Sequence, residues 1–110
     1  MTDGTTPTRD SAILPKFRCA LDEIYGDRLE RVVLYGSRAR GNAGADSDYD
    51  VAVFLKEFSD RWAEADKIAV LVTGILSETG VVIHAMLYRS SAYLERSPLM
   101  HEIRREGLDL

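Results

Sequence analysis

Two short stretches of the chain hold residues whose types and spacing could do chemistry. Leu34-Tyr35-Gly36-Ser37-Arg38-Ala39-Arg40-Gly41 is a turn rich in glycine and serine. Asp46-Ser47-Asp48-Tyr49-Asp50-Val51-Ala52-Val53, close behind it, sets three carboxylates at every second position. A turn whose backbone N–H groups are not screened by side chains can cradle phosphate. On an extended segment Asp46, Asp48 and Asp50 share one face, while Val51, Val53 and Leu55 share the other. Same-face neighbours on a strand lie roughly 7 Å apart, and their side chains can converge on one cation. Two carboxylates brought to about 4 Å would otherwise repel by about 4 kcal/mol at an effective dielectric of about 20. A hard oxygen site of this kind suits Mg²⁺, which commonly completes its coordination with water and nucleotide phosphates. Taken alone, acids in such a run more often form a solvated strand entrance, and Gly36-Ser37 an ordinary turn.

Regular elements must position these residues. Met1 to Arg9 has no apolar period and reads as a loose tail, leaving 10–110 as a single domain. Ile13, Phe17, Ala20, Leu21 and Ile24 recur at helical spacing up to Gly26, with Pro15 expected in the first turn. Arg31 to Tyr35 and Tyr49 to Leu55 are β-branched and aromatic runs that read as strands. From Ser59, a candidate cap, Trp62, Ala65, Ala69, Val72 and Leu76 keep a helical period up to Gly80, a left-handed terminator. Val81 to Tyr88 reads as a third strand with Val81, Ile83, Ala85 and Leu87 on one face and Val82, His84, Met86 and Tyr88 on the other. Ser97-Pro98 opens a last helix and Gly107 closes it. The expected class is α/β (α+β): a small mixed sheet of three or more strands with helices packed on one face.

Composition narrows the function. With 110 residues and 45% hydrophobic content, the chain suits one compact core. A net charge of −4 argues against direct nucleic-acid binding, which ordinarily uses a basic field. Cys19 is the single cysteine, so one chain can form neither an internal disulfide nor a cysteine-based zinc site. No apolar run approaches the roughly 20 residues that span a bilayer, and no export leader is evident, so a cytoplasmic protein is expected.

The run Gly36-Ser37-Arg38-Ala39-Arg40-Gly41 with Ser47-Asp48-Tyr49-Asp50-Val51 resembles the signature of the DNA polymerase β-like nucleotidyltransferase superfamily, and within it the minimal nucleotidyltransferase (MNT) domains. The resemblance implies the α/β fold of that superfamily. It implies that Gly36 and Ser37 contact the phosphates of a nucleotide, and that Asp48 and Asp50 bind Mg²⁺ and serve catalysis. Arg38 and Arg40 would add charge at the phosphates or brace the turn through salt bridges. The reaction class would be attack of an acceptor hydroxyl on the α-phosphorus of ATP, with pyrophosphate leaving. Short chains of this type resemble the antitoxin halves of two-component systems, which transfer AMP to a tyrosine of a HEPN-domain toxin. That implies a hetero-oligomer. A noncatalytic module that neutralises such a partner by contact is the alternative, with Tyr88, Tyr93, Leu94 and Leu99 as apolar material for either a partner or the chain's own packing.

Active members resemble a three-carboxylate design whose third acid lies on the strand after the long helix. Here that strand, Val81-Val82-Ile83-His84-Ala85-Met86-Leu87-Tyr88, has none. A valine is expected at the acid's position, and His84 is the residue on that face able to substitute. A neutral imidazole can bind a metal or take a proton, but it is softer than Mg²⁺ prefers and brings no charge. The other reading of His84 is a partly buried residue hydrogen-bonded to a neighbour. Glu78 is expected to be surface, His101 to lie on a polar face or at a contact, and Asp46 to stand at the strand's edge without coordinating.

Overall fold

The seven residues Tyr49–Leu55 alternate little in polarity, and a strand of that composition is stable only when covered on both faces. The computed structural model, which describes residues 9–41 and 48–110, buries them in the middle of a four-stranded sheet. In chain order the elements are α1 (Arg9–Tyr25), β1 (Leu29–Tyr35), α2 (Ser37–Arg40), β2 (Tyr49–Leu55), α3 (Arg61–Thr79), β3 (Ile83–Arg89), α4 (Pro98–Glu106) and β4 (Leu108–Asp109). The strand order is β3-β2-β1-β4. β1 runs antiparallel to β2 and to β4, while β2 and β3 are parallel and joined through α3. The sheet is therefore mixed, as expected. No helix among the described residues is long and apolar enough to cross a membrane.

Helices on one face is the expectation that fails. α1 and α3 do share a face, where Phe17, Leu21, Ile68 and Ile75 pack against Val32, Val51, Val53 and Leu55. α4 lies on the other side, where Met100 and Ile103 cover Val33, Ala52 and Phe54. The reason is β2 itself: Ala52 and Phe54 point away from α1 and α3, and both are fully buried. Tyr88 stacks on Phe54 and Tyr93 meets it edge-on, each at 5.5 Å between ring centroids, so aromatic packing completes that second layer. Tyr88, Tyr93 and Leu99 thus serve the chain's own packing, whereas Leu94 is exposed.

Local signals held at most termini. Gly80 adopts the left-handed conformation at the end of α3, and Ser97 Oγ accepts from the Met100 N–H at 3.1 Å at the start of α4. Asp60, not Ser59, caps α3, accepting from Trp62 and Ala63 N–H, because a carboxylate is the stronger acceptor at a helix N-terminus. Pro15 lies inside α1 and not in its first turn. Ile13, upstream of the proline, is buried in the core and holds that turn in place. The tail expected over Met1 to Arg9 lies, apart from Arg9, outside the described residues.

One charge is drawn into this frame. Glu64 on α3 is buried, with its Oε2 accepting from Arg28 Nη2 at 2.6 Å and its Oε1 facing Lys67 Nζ at 3.3 Å. Burial pushes its carboxyl up, and the Arg28 hydrogen bond with the Lys67 charge outweighs that, so its pKa is lowered. A lowered folded-state pKa stabilises the fold above the ordinary carboxylate range, and that contribution is lost as pH falls through the folded value. Replacing Arg28 with alanine should cost about 2 kcal/mol at neutral pH, because it removes the shorter-range of the two cations that pair a buried carboxylate. Urea unfolding should show this, with the difference from the parent shrinking as Glu64 is protonated; a pH-independent difference would assign the loss to packing.

Candidate functional site

β1 ends at Tyr35, and the chain can turn there because Gly36 takes φ 77°, a conformation that favours glycine. From Gly36 the backbone winds into the single turn of α2: the Ala39 and Arg40 N–H groups both donate to the Gly36 carbonyl at 3.1 Å. Gly41, at φ 81°, closes the turn by donating to the Ser37 carbonyl at 3.0 Å. The leading N–H groups of such a turn have no acceptor inside it, and Ser37, half-buried, stands first among them. A turn of this form can cradle an anion, and it stands at the end of β1.

The sheet brings the acids to that cradle. Antiparallel register sets Tyr35 opposite Asp50, and parallel register sets His84 opposite Asp50 on the other side. One row across three strands therefore reads Tyr35, Asp50, His84. Gly36 sits so close to Asp50 that a Cβ on the glycine would come within 2.6 Å of Oδ2. The other oxygen, Oδ1, lies 3.5 Å from His84 Nδ1. Asp50 is partly buried, whereas Asp48, two residues earlier on the same face, is exposed. Asp46 lies outside the described residues.

Residues 14–105 match the nucleotidyltransferase domain family. The chain belongs to that family. Two relatives from Methanocaldococcus jannaschii bear the names "Putative protein adenylyltransferase MJ0141" and "Putative protein adenylyltransferase MJ0604". The first is 26% identical over 89% of this chain and 95% of its own, the second 31% identical over 67% and 68%. Among solved structures, a toxin-antitoxin crystallised with AMP-PNP superposes with a TM-score of 0.59 at 18% identity, covering 86% of this chain and 69% of the other. A mutant of the toxin-antitoxin MntA-HpeT gives the same TM-score and coverage at 16% identity. The fold is that of these neighbours.

Within this nucleotidyltransferase domain the expected site residues separate into two groups. Gly36, Ser37, Asp50 and His84 come together, with Asp48 at their exposed margin. The arginines are placed on the surrounding frame. Arg40 Nη1 lies 3.6 Å from Glu102 and 3.5 Å from Glu106, tying α2 to α4, and the Arg38 guanidinium lies 4.3 Å over the Tyr49 ring. The valine expected at the third acid's position is also displaced. Val82 precedes β3 and its carbonyl accepts from the Tyr49 N–H, so the parallel register leaves His84 itself across from Asp50. Its side chain is 64% exposed, which sets aside the reading of a partly buried histidine. Glu78 is a surface residue near Lys16, and His101 is exposed on α4.

Tyr35 was not singled out in the sequence, because only the pairing of β1 with β2 shows that it flanks Asp50. Burial pushes its phenol up to about 12, with Tyr88, Asp50 and Glu102 adding to the effect, so it is a neutral hydroxyl at physiological pH.

Nucleotidyltransferase domains use a divalent metal with their nucleotide. Among the described residues no group of three or more histidine, cysteine, aspartate or glutamate side chains is spaced to hold a metal. Two carboxylates on one strand face, beside a backbone phosphate cradle, fit a divalent cation that takes its remaining ligands from phosphate and water. Asp48 and Asp50 are the residues that would hold it.

Gly36→Ala tests the cradle. The new methyl would meet the far end of Asp50, which must swing away, and an L-residue at φ 77° is strained. Thermal unfolding should show a loss of about 1–2 kcal/mol, while calorimetry with a metal-nucleotide complex should show affinity falling at least about tenfold, or about 1.4 kcal/mol. Unchanged affinity would mean that Asp50's position does not matter for binding.

Proposed function

We propose that this nucleotidyltransferase domain is an antitoxin that binds Mg²⁺-ATP and transfers AMP to a hydroxyl of a HEPN-type toxin. The observation that carries the reading is the position of Asp50, wedged between the glycine of the phosphate cradle and His84. The named activity of the archaeal relatives and the toxin-antitoxin neighbours, one of them with AMP-PNP, support it. The reading places the protein in the cytoplasm, where ATP is available.

The chemistry follows from the row across the sheet. Ser37 and the first turn of α2 hold the β- and γ-phosphates through backbone N–H groups, and Arg38 and Arg40 stiffen that turn. Bound Mg²⁺ would neutralise charge at the phosphates. The acceptor oxygen bonds to the α-phosphorus as the bond to the bridging oxygen of the β-phosphate breaks, and pyrophosphate leaves. Asp50 Oδ1 beside Nδ1 favours the tautomer with its proton on that nitrogen, leaving His84 Nε2 to take the acceptor's proton. His84 thus does with a neutral base what a third carboxylate does in other members.

The same histidine favours a second reading, in which the module holds nucleotide and neutralises its partner by contact, because among the described residues it stands where a third carboxylate is expected. Incubation with labelled ATP, Mg²⁺ or Mn²⁺ and the partner protein separates the two. Transfer of label that drops at least about 100-fold, or about 2.7 kcal/mol, in Asp48→Asn and Asp50→Asn supports the enzyme. Complex formation without label, indifferent to both changes, supports the contact module and rejects the enzyme.

His84 can be tested separately by two substitutions. His84→Ala should lower transfer with nucleotide affinity kept, whereas His84→Asp should raise it by about tenfold or more, as a carboxylate takes over the proton in place of a neutral imidazole. If alanine and aspartate both leave the rate unchanged, His84 has no part in the reaction.

A further inference from the structure

α4 meets the site end of β1 in three ways. Gly107, just past the helix, lies so close to β1 that a Cβ on it would collide with the Val33 side chain and with the Ile103 carbonyl. Met100 and Ile103 lie over Val33, Ala52 and Phe54, and the Tyr35 ring packs against the same group. The third contact is made of charge. Glu102 and Glu106, one helical turn apart and both half-buried, place Oε2 and Oε1 at 3.6 and 3.5 Å from Arg40 Nη1 on α2.

Glu102 therefore stands between the two halves of the site. On one side it faces Arg40, whose own N–H closes the α2 turn on the Gly36 carbonyl. On the other, its charge acts together with that of Asp50 on the Tyr35 phenol, which lies across the ladder from Asp50. Acids in this place are costly on electrostatic grounds alone, since they repel a triphosphate seated at the turn. Their position makes sense if they hold the turn and not the ligand. α2 is a single turn of four residues, too short to keep its own orientation, and it is bounded by Gly36 and Gly41, whose backbones resist rotation least.

We propose that Glu102 and Glu106 are positioning residues that act through Arg40, clamping the α2 turn to α4 so that the turn's leading N–H groups and Asp50 face one metal-nucleotide complex. The proposal rests on the reading of the α2 turn as a phosphate cradle. Neither acid touches the nucleotide. Gly107, Met100 and Ile103 seat α4 on the sheet, and the Arg40 fork passes that fixed position to the turn. Without the fork the turn pivots between its two glycines, and its donors lose their alignment with the carboxylate on β2.

The sign of one change separates a clamp from a neighbouring charge. If the acids act only through their field, neutralising them should tighten the binding of a triphosphate; if they hold the turn, it should weaken it. Calorimetry with Mg²⁺ and a non-hydrolysable ATP analogue should show the double variant Glu102→Gln, Glu106→Gln binding about fivefold more weakly than the parent. Arg40→Met should also weaken binding, and adding both glutamine changes to it should cost nothing further, because the acids then have no cation to hold. Melting of all three variants should stay close to the parent, since half-exposed ion pairs contribute little to stability. Unchanged or tighter binding in the double glutamine variant overturns the clamp while leaving the cradle in place. So does a loss that persists in full on the Arg40→Met background, or one that tracks a fall in melting temperature. A parent that binds no metal-nucleotide complex overturns the cradle and the clamp together.

Discussion

The register of β2 is the constraint on which the rest of the molecule depends. Its five residues Val51 to Leu55 are wholly buried, and their alternation commits them to opposite layers. A shift of one residue would send Phe54 into the space of Val53 and move Asp50 to the face covered by α1 and α3. Hydrophobic burial on two sides thus fixes, at the strand's first turn of pleat, where one carboxylate must lie. Everything chemical in the chain is arranged around that carboxylate: the glycine of the cradle touches it from β1 and the histidine reaches it from β3.

Tension between packing and chemistry shows in how charge is handled. At the far end of the sheet Glu64 is buried, and Arg28 and Lys67 answer its charge, so the fold is closed there. At the near end Asp48 and Asp50 share one face, while Arg40 reaches the acids of α4 and Arg38 lies over an aromatic ring. The two ends differ in purpose. One balances its charge internally, while the other leaves two carboxylates on one face beside the α2 turn.

The strands that flank the motif were legible because their residues speak locally: β2 was read at its observed bounds, and the glycines at 26, 80 and 107 ended helices as expected. The shared face of Asp50 and His84 follows from strand parity. What could not be read required knowledge of neighbours. Ala52 and Phe54 gave no sign that α4 would cover them, since an uninterrupted apolar run is compatible with either one covering layer or two. The helical period of α3 marks a helix without saying which stripe is buried, because Trp62 and Leu76 are as apolar as Ile68 and Ile75, and only the packed structure tells a core stripe from a solvent stripe. Tyr35 and Glu64 acquire meaning through residues distant in sequence, and no local pattern marks them.

The short strand β4 carries a consequence for the order in which the molecule assembles. Its two residues pair with Val33 and Leu34, and Leu110 then donates its N–H to the Val32 carbonyl and accepts from Arg18 on α1. These contacts join segments from nearly opposite ends of the described chain, so they carry a large loop-closure entropy and few hydrogen bonds to offset it. The β1–β2 ladder and the β2–α3–β3 crossover close smaller loops and bury far more apolar surface. β4 is therefore the last edge to zip and the first to fray, and amide exchange at Leu108 to Leu110 should run by local opening while the β2 amides wait for global unfolding.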